Sequence, residues 1–272
     1  MNGMIVSDSM AHFLSGGGSS VMNIVLTFPI NKLMFRQQLH GNTTIRALKQ
    51  LSKEGAFTLY RGLLPPLIQK SASVSIMFGN FNFFAKTLRE NFNFGIFSST
   101  LCASCIAGSV ESLLTPFERI QTLLQDPKHN QNYRNTKDAF VKVVREFHFK
   151  ELYRGATPII YRNTSSNVMF FALREFMESD NANITSHFIS GALIGALCST
   201  AVYPINVVKT RMQSSVGGEM KSFKDSFLIV YNDRNRSWQK IYRGLHLNLV
   251  RSALSWGIIN AAYEKLLLFF KQ

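Results

Sequence analysis

Glu118 stands in the stretch TPFERIQTLLQ, residues 115–125, among largely apolar neighbours. A carboxylate in such a run needs a cationic partner or a functional duty. A second acid, Glu111, precedes it by seven residues, two helical turns away on the same face. Three cations recur in similar apolar settings: Lys70, Arg162 and Arg251. Each follows a Tyr-Arg-Gly triplet (60–62, 153–155, 242–244) by seven or eight residues, beside Gln69, Asn163 and Ser252 respectively. Arg grips a phosphate in a bidentate way and Lys acts as a point charge, so this set points to an anionic, phosphorylated ligand. Other chemistries lack their residues. There is no Walker loop, no paired catalytic carboxylates and no Cys/His zinc spacing. Cys102-x-x-Cys105 has redox-pair spacing, but no second pair exists, and STLCASCIAG reads as small packing residues. With Cys198 the cysteine count is odd, which fits a reducing or membrane setting.

The elements that position these groups repeat. Pro29, Pro116 and Pro204 are 87 and 88 residues apart, and 19 residues after each triplet glycine stand Phe81, Arg174 and Tyr263. Three markers in the same order divide the chain into 1–92, 93–181 and 182–272. Each unit reads as a long proline-bearing helix (11–39, 98–125, 184–213), a short amphipathic helix, the triplet, and a second long helix (65–88, 157–178, 246–270). The prolines are expected to kink the first helices. Gly191-x-x-x-Gly195 and Ala103-x-x-x-Ala107 are expected to let helices approach closely.

Charge decides the setting. Segments 31–66, 119–157 and 207–245 hold 22 of the 30 Lys and Arg but 8 of the 16 Asp and Glu, which is the whole net charge of +14. Confining positive charge to three equivalent loops is the positive-inside asymmetry of a membrane protein. Hydropathy is weak, as it must be where helices surround a watery cavity. The alternative, a soluble helical scaffold, gives no reason for a kinking proline in every first helix. The N-terminal MNGMIVSDSM has neither a signal peptide's layout nor an Arg-rich transit peptide's, so targeting is expected within the chain.

The thrice-repeated pattern P-x-[DE]-x-x-[KR]-x-[KR]-x-Q followed by aromatic-Arg-Gly resembles the mitochondrial carrier family along essentially the whole chain. The resemblance implies an all-α membrane protein. Its fold would be a three-fold pseudosymmetric bundle of six transmembrane helices with three short matrix helices, around a central site in the inner membrane. It also implies transport by alternating access, and no enzyme activity. Six stretches look most similar to the branch of the family that carries NAD: TFPINKLMFRQQL, LYRGLLPPLIQK, TPFERIQTLLQD, RNTSSNVMFFALR, YPINVVKTRMQSSVGGE and SWGIINAAYE. The implied substrate is therefore NAD, with another nucleotide or coenzyme A as the alternative. No cofactor, metal or nucleic acid is implied, and a monomer is expected.

Family gates map onto this chain with gaps. In the matrix gate the acid slots are Asn31, Glu118 and Asn206, and the base slots are Met34, Gln121 and Lys209. One ion pair, Glu118 with Lys209, is implied. Asn31 can hydrogen-bond Gln121, and Asn206 faces Met34. Gln38, Gln125 and Gln213 fill the bracing positions beside the pairs. In the cytosolic gate the acid slots are Asn82, Glu175 and Glu264, and the base slots are Ala85, Glu178 and Leu267, so no ion pair of the family type forms. Either the gating barriers are low, allowing transport without an exchange partner, or apolar plugs such as Met34 and Leu267 replace the pairs.

The 19 residues after each triplet glycine rise about 28 Å, which puts the three cations near mid-depth, where the family binds substrate. Glu111 would neutralise the cavity by pairing with Arg162 or Arg251, or touch ribose hydroxyls or a cationic ring. Gln69, Lys70, Arg162 and Arg251 would contact the substrate, and Asn163, Asn167 and Asn260 would add hydrogen bonds to it. Arg61, Arg154 and Arg243 with Gly62, Gly155 and Gly244 sit at the matrix surface. They are either a structural turn or a cardiolipin headgroup site.

Overall fold

The structure is a computed structural model that describes residues 8–92, 95–177 and 184–271. The first repeat contains α1 (Asp8–His40), α2 (Thr44–Lys53), the one-turn α3 (Ala56–Leu59) and α4 (Leu64–Phe92). The second contains α5 (Ile96–Glu111), α6 (Thr115–Gln125), α7 (Thr136–Phe147) and α8 (Ala156–Met177). The third contains α9 (Ile184–Ala201), α10 (Tyr203–Ser214), α11 (Phe223–Asp233), the one-turn α12 (Trp238–Ile241) and α13 (Leu245–Lys271). Six long arms result: α1, α4, α5–α6, α8, α9–α10 and α13. The 29 residues of α4 run about 43 Å, enough to cross a ~30 Å hydrocarbon core. Each arm touches the next, and α1 packs along α13, so the arms close into a ring.

The prolines do not act alike. In the second and third repeats the helix breaks just before the proline, and Pro116 and Pro204 occupy the first turn of α6 and α10. A 3-10 turn, Ser112–Leu114, separates α5 from α6, and the segments flanking Val202 meet at 54°. First-turn proline forfeits no helical hydrogen bond, since its amide would be unpaired there anyway. Pro29 instead lies within an unbroken α1, so the expected kink takes the form of a helix break in two repeats only.

The stretch Ile96–Gln125 is long and apolar enough to cross a membrane, at a mean hydropathy of 1.3, and so is the bent α9–α10 pair. Among the described residues no other arm passes that test. Close helix approach falls on Gly108, one place beyond Ala107. A Cβ there would meet the Thr164 backbone nitrogen at 2.6 Å, so only glycine lets α5 and α8 touch backbone to backbone. Ala103 and Ala107 are buried on the same stretch, whereas Gly195 has open space beside it, against expectation.

The short helices α2, α7 and α11 bury one narrow face each: Ala47 and Leu51, Ala139 and Val143, Ser226 and Val230. Asn135 and Ser222 cap the last two by accepting from the amides of Asp138 and Asp225. Two apolar clusters lie beside them. One gathers Ile120, Leu123, Leu124, Tyr133 and Leu152, and the other Tyr203, Val207, Val230 and Ile241.

Candidate functional site

Glu118 is buried and gathers donors from three arms. Lys209 Nζ on α10 lies 2.8 Å from Oε2. Arg162 on α8 makes a two-point contact, with Nη2 at 2.8 Å from Oε1 and Nη1 at 3.2 Å from Oε2. Gln69 on α4 donates to Oε1 at 2.7 Å. The carboxylate therefore ties all three repeats together at one depth. The sequence placed Gln69 and Arg162 in the substrate site and left Glu118 with Lys209 alone; the structure joins both sets in one cluster. The reason is reach. Arg162 is long enough to extend from its mid-depth position toward α6, and a bidentate carboxylate is its best partner. Asn163, also buried, steadies the guanidinium by accepting from Nε at 2.8 Å and Nη2 at 2.6 Å.

Among the described residues no ion pair joins Glu111 to Arg162 or Arg251. Its Oε1 accepts from the Ser73 hydroxyl on α4. Arg251 Nη2 donates to Asn248 Oδ1 at 3.1 Å, one turn back on α13. Lys70 and Arg251 share a cavity of about 280 Å³ between α1, α4 and α13, with Asn31 and Ser252 on its wall. Asn167 is buried, with no partner for its Nδ2 among the described residues, and Asn260 is exposed. Among the described residues no hydrogen bond joins Asn31 to Gln121; Asn31 faces the cavity instead. Asn206, Met34 and Gln121 are half-buried.

The bracing glutamines serve another purpose than supporting ion pairs. Gln213 accepts from Thr122 Oγ1 at 3.0 Å, and Gln38 accepts from Thr210 Oγ1 at 3.2 Å. Each glutamine thus reaches a threonine three places before the glutamine of another repeat. The matching residue for Gln125 is Phe35, which has no hydroxyl, and Gln125 Nε2 has no partner among the described residues.

The Tyr-Arg-Gly triplets join repeats. Gly62, Gly155 and Gly244 have φ of 86°, 84° and 99°, which favours glycine, and their Cα positions press on α6, α10 and α1 respectively. A Cβ on Gly244 would meet the Tyr203 hydroxyl at 2.5 Å. Arg61 donates to the carbonyls of Asn130, at 3.0 Å, and Tyr133. Arg154 donates to Gly218 O at 2.9 Å and pairs with Glu151 at 2.7 Å. Arg243 donates to Gly41 O at 2.6 Å. All three are engaged by the next repeat around the ring. Arg119 and Glu151, both buried and 3.0 Å apart, extend this belt. Neither residue of that pair was singled out from the sequence, although the acid three before Arg154 was the available signal.

At the opposite end, the side chains of Asn82 and Glu175, together with Glu178, lie outside the described residues, and Glu264 is exposed. Ala85 is buried and Leu267 half-buried. Phe81 stacks on Phe171 across α4 and α8, with ring centroids 3.5 Å apart and planes 3° from parallel. An aromatic pair therefore stands beside the slots where no ion pair of the family type was expected. The cysteines Cys102, Cys105 and Cys198 are all free.

Comparison with known proteins gives three matches to the family described as mitochondrial carrier protein, over residues 6–92, 95–179 and 180–272. The human mitochondrial nicotinamide adenine dinucleotide transporter SLC25A51 is 44% identical over 265 residues, covering 95% of this chain and 89% of that protein. The human mitochondrial nicotinamide adenine dinucleotide transporter SLC25A52 is 43% identical over 267 residues, covering 96% and 90%. Human solute carrier family 25 member 53 is 31% identical over 268 residues, covering 92% and 84%.

Proposed function

This chain belongs to the mitochondrial carrier family, and on that premise we propose that it transports NAD across the mitochondrial inner membrane as a multi-pass carrier. The observation that carries this reading is the likeness, over 95–96% of the chain, to proteins named as NAD transporters. The alternative of a soluble scaffold falls with the family match. The basic loops 31–66, 119–157 and 207–245 face the matrix in this reading.

The site chemistry supports a dinucleotide. Lys70, Arg162 and Arg251 supply three cations for a pyrophosphate, and Glu111 is an acid suited to ribose hydroxyls or the cationic nicotinamide ring. The cluster of Glu118, Lys209, Arg162 and Gln69 holds the matrix end shut, with Glu118 as the anion that Arg162 binds when substrate is away. A phosphate reaching Arg162 competes with Glu118 and weakens that closure. Ligand binding shifts a conformational equilibrium only through such a difference between states. Cardiolipin headgroups are proposed at the matrix rim beside the triplets. There a cavity of about 350 Å³ is lined by Arg154, Arg211 and Lys221. The three triplet arginines already hold backbone carbonyls, so the headgroup would draw on amides and neighbouring cations.

The test is purified protein in liposomes, measured for uptake of labelled NAD against ADP and coenzyme A. NAD uptake well above the other two is expected; equal or preferred uptake of ADP or coenzyme A would overturn the substrate. In the same assay Arg162→Lys keeps the charge but loses the two-point grip, and uptake is expected to fall at least tenfold.

A further inference from the structure

The cavity between the first and third repeats contains polar groups that the reading above leaves unused. Asn23, Thr27 and Asn31 succeed one another along α1, and Ser252 and Ser255 stand on α13, with Lys70 and Arg251 beside them. Three buried atoms on its walls have no hydrogen-bond partner among the described residues: Asn23 Oδ1, Arg251 Nε and Ser255 Oγ. Buried polar atoms are normally satisfied, and three exceptions in one cavity make a set that a ligand would complete.

Their chemistry is specific. An amide oxygen only accepts, so the complement of Asn23 Oδ1 is an N–H or O–H donor. The Thr27 hydroxyl does not supply it, because it donates to the Asn23 backbone carbonyl at 2.7 Å. Asn248 holds Arg251 through Nη2, which leaves Nε to donate. Ser255 is one helical turn, about 6 Å, beyond Arg251 along α13. A cation for phosphate or ribose oxygen thus lies a turn away from a hydroxyl and an amide acceptor.

We propose that this cavity is a recognition subsite for one ring of the substrate. Asn23 accepts from the ring's exocyclic NH2 group, Ser255 hydrogen-bonds beside it, and Arg251 Nε takes a ribose or phosphate oxygen. The inference rests on the dinucleotide reading. Both ends of that substrate bear an NH2 group, the adenine amine and the nicotinamide carboxamide. The shared chemistry is the claim, and the assay separates the two sources.

Uptake of labelled NAD into liposomes is measured against three unlabelled competitors. One is NAD, one is nicotinamide hypoxanthine dinucleotide, which lacks the adenine amine, and one is 3-acetylpyridine adenine dinucleotide, which lacks the carboxamide NH2. One of the two analogues is expected to compete about tenfold more weakly than NAD, since it leaves the Asn23 oxygen unpaired. The analogue that does so identifies the ring. Asn23→Leu is expected to raise the half-saturating NAD concentration about tenfold and to abolish that discrimination. Asn23→Asp keeps an acceptor of the same shape and is expected to retain it. If Asn23→Leu fails to fold, Ser255→Ala is read instead, with a several-fold rise expected. Unchanged half-saturation and unchanged discrimination in the folded variant overturn the subsite alone. No NAD uptake by the unmodified protein overturns the dinucleotide reading from which it starts.

Discussion

Glu118 is the residue that joins the three repeats at the proposed matrix gate, because one carboxylate answers a lysine, an arginine and a glutamine from three arms. Removing one member of a buried charge group is costly, about 3–5 kcal/mol, because the partners stay buried without compensation. Glu118→Gln is therefore expected to lower the thermal unfolding temperature in detergent, and so is Lys209→Gln. The double variant should lose less than the sum, with a coupling energy of about 0.5–3 kcal/mol in the cycle. Strict additivity would mean that the pair at 2.8 Å does not hold the closed state.

At the scale of elements, backbone geometry and the inter-repeat braces make separate predictions. His148 ends α7 at φ 66° and ψ 163°, a conformation natural only to glycine. It stands seven residues before Gly155, as Gly55, with φ 86°, stands seven before Gly62. His148→Gly is thus expected to stabilise the protein by about 1 kcal/mol, read as a higher unfolding temperature. Thr122→Val should act in the opposite sense. It leaves the fully buried Gln213 oxygen unpaired and is expected to cost about 1–3 kcal/mol. Gln125→Leu, at the brace that Phe35 leaves unmade, should cost clearly less, so comparing the two unfolding temperatures tests whether the braces act between repeats.

At the scale of the molecule, three-fold order persists in the triplet clamps and lapses in the gates. Gly62, Gly155 and Gly244 repeat one geometry, and Arg61, Arg154 and Arg243 each hold carbonyls of the following repeat. Among the described residues the proposed matrix gate has the Glu118 cluster, and the opposite end has a Phe81–Phe171 stack. The gate slots offer fewer possible ion pairs than the family pattern, which implies lower barriers, so uptake is expected into liposomes that contain no internal substrate. Uptake that requires preloading would show that apolar contacts hold the gates as firmly as ion pairs.

The repeat, the arms and the basic loops were legible in the chain because they rest on period and composition, which are local properties. The candidate cations were legible too, since Lys70, Arg162 and Arg251 follow their triplets by seven or eight residues. What those side chains touch was not. Arg162 turned to Glu118, Glu111 to Ser73, and Gln213 to Thr122, and each contact joins residues from different arms. Proline behaved likewise: the sequence placed a proline in each first helix, but only the packed ring decided that two helices would break and one would not. The sequence by itself determined the architecture, because helix periodicity and charge asymmetry need no knowledge of neighbours. The tertiary structure alone decided the pairing of the charges, because long side chains choose among several partners by distance and burial.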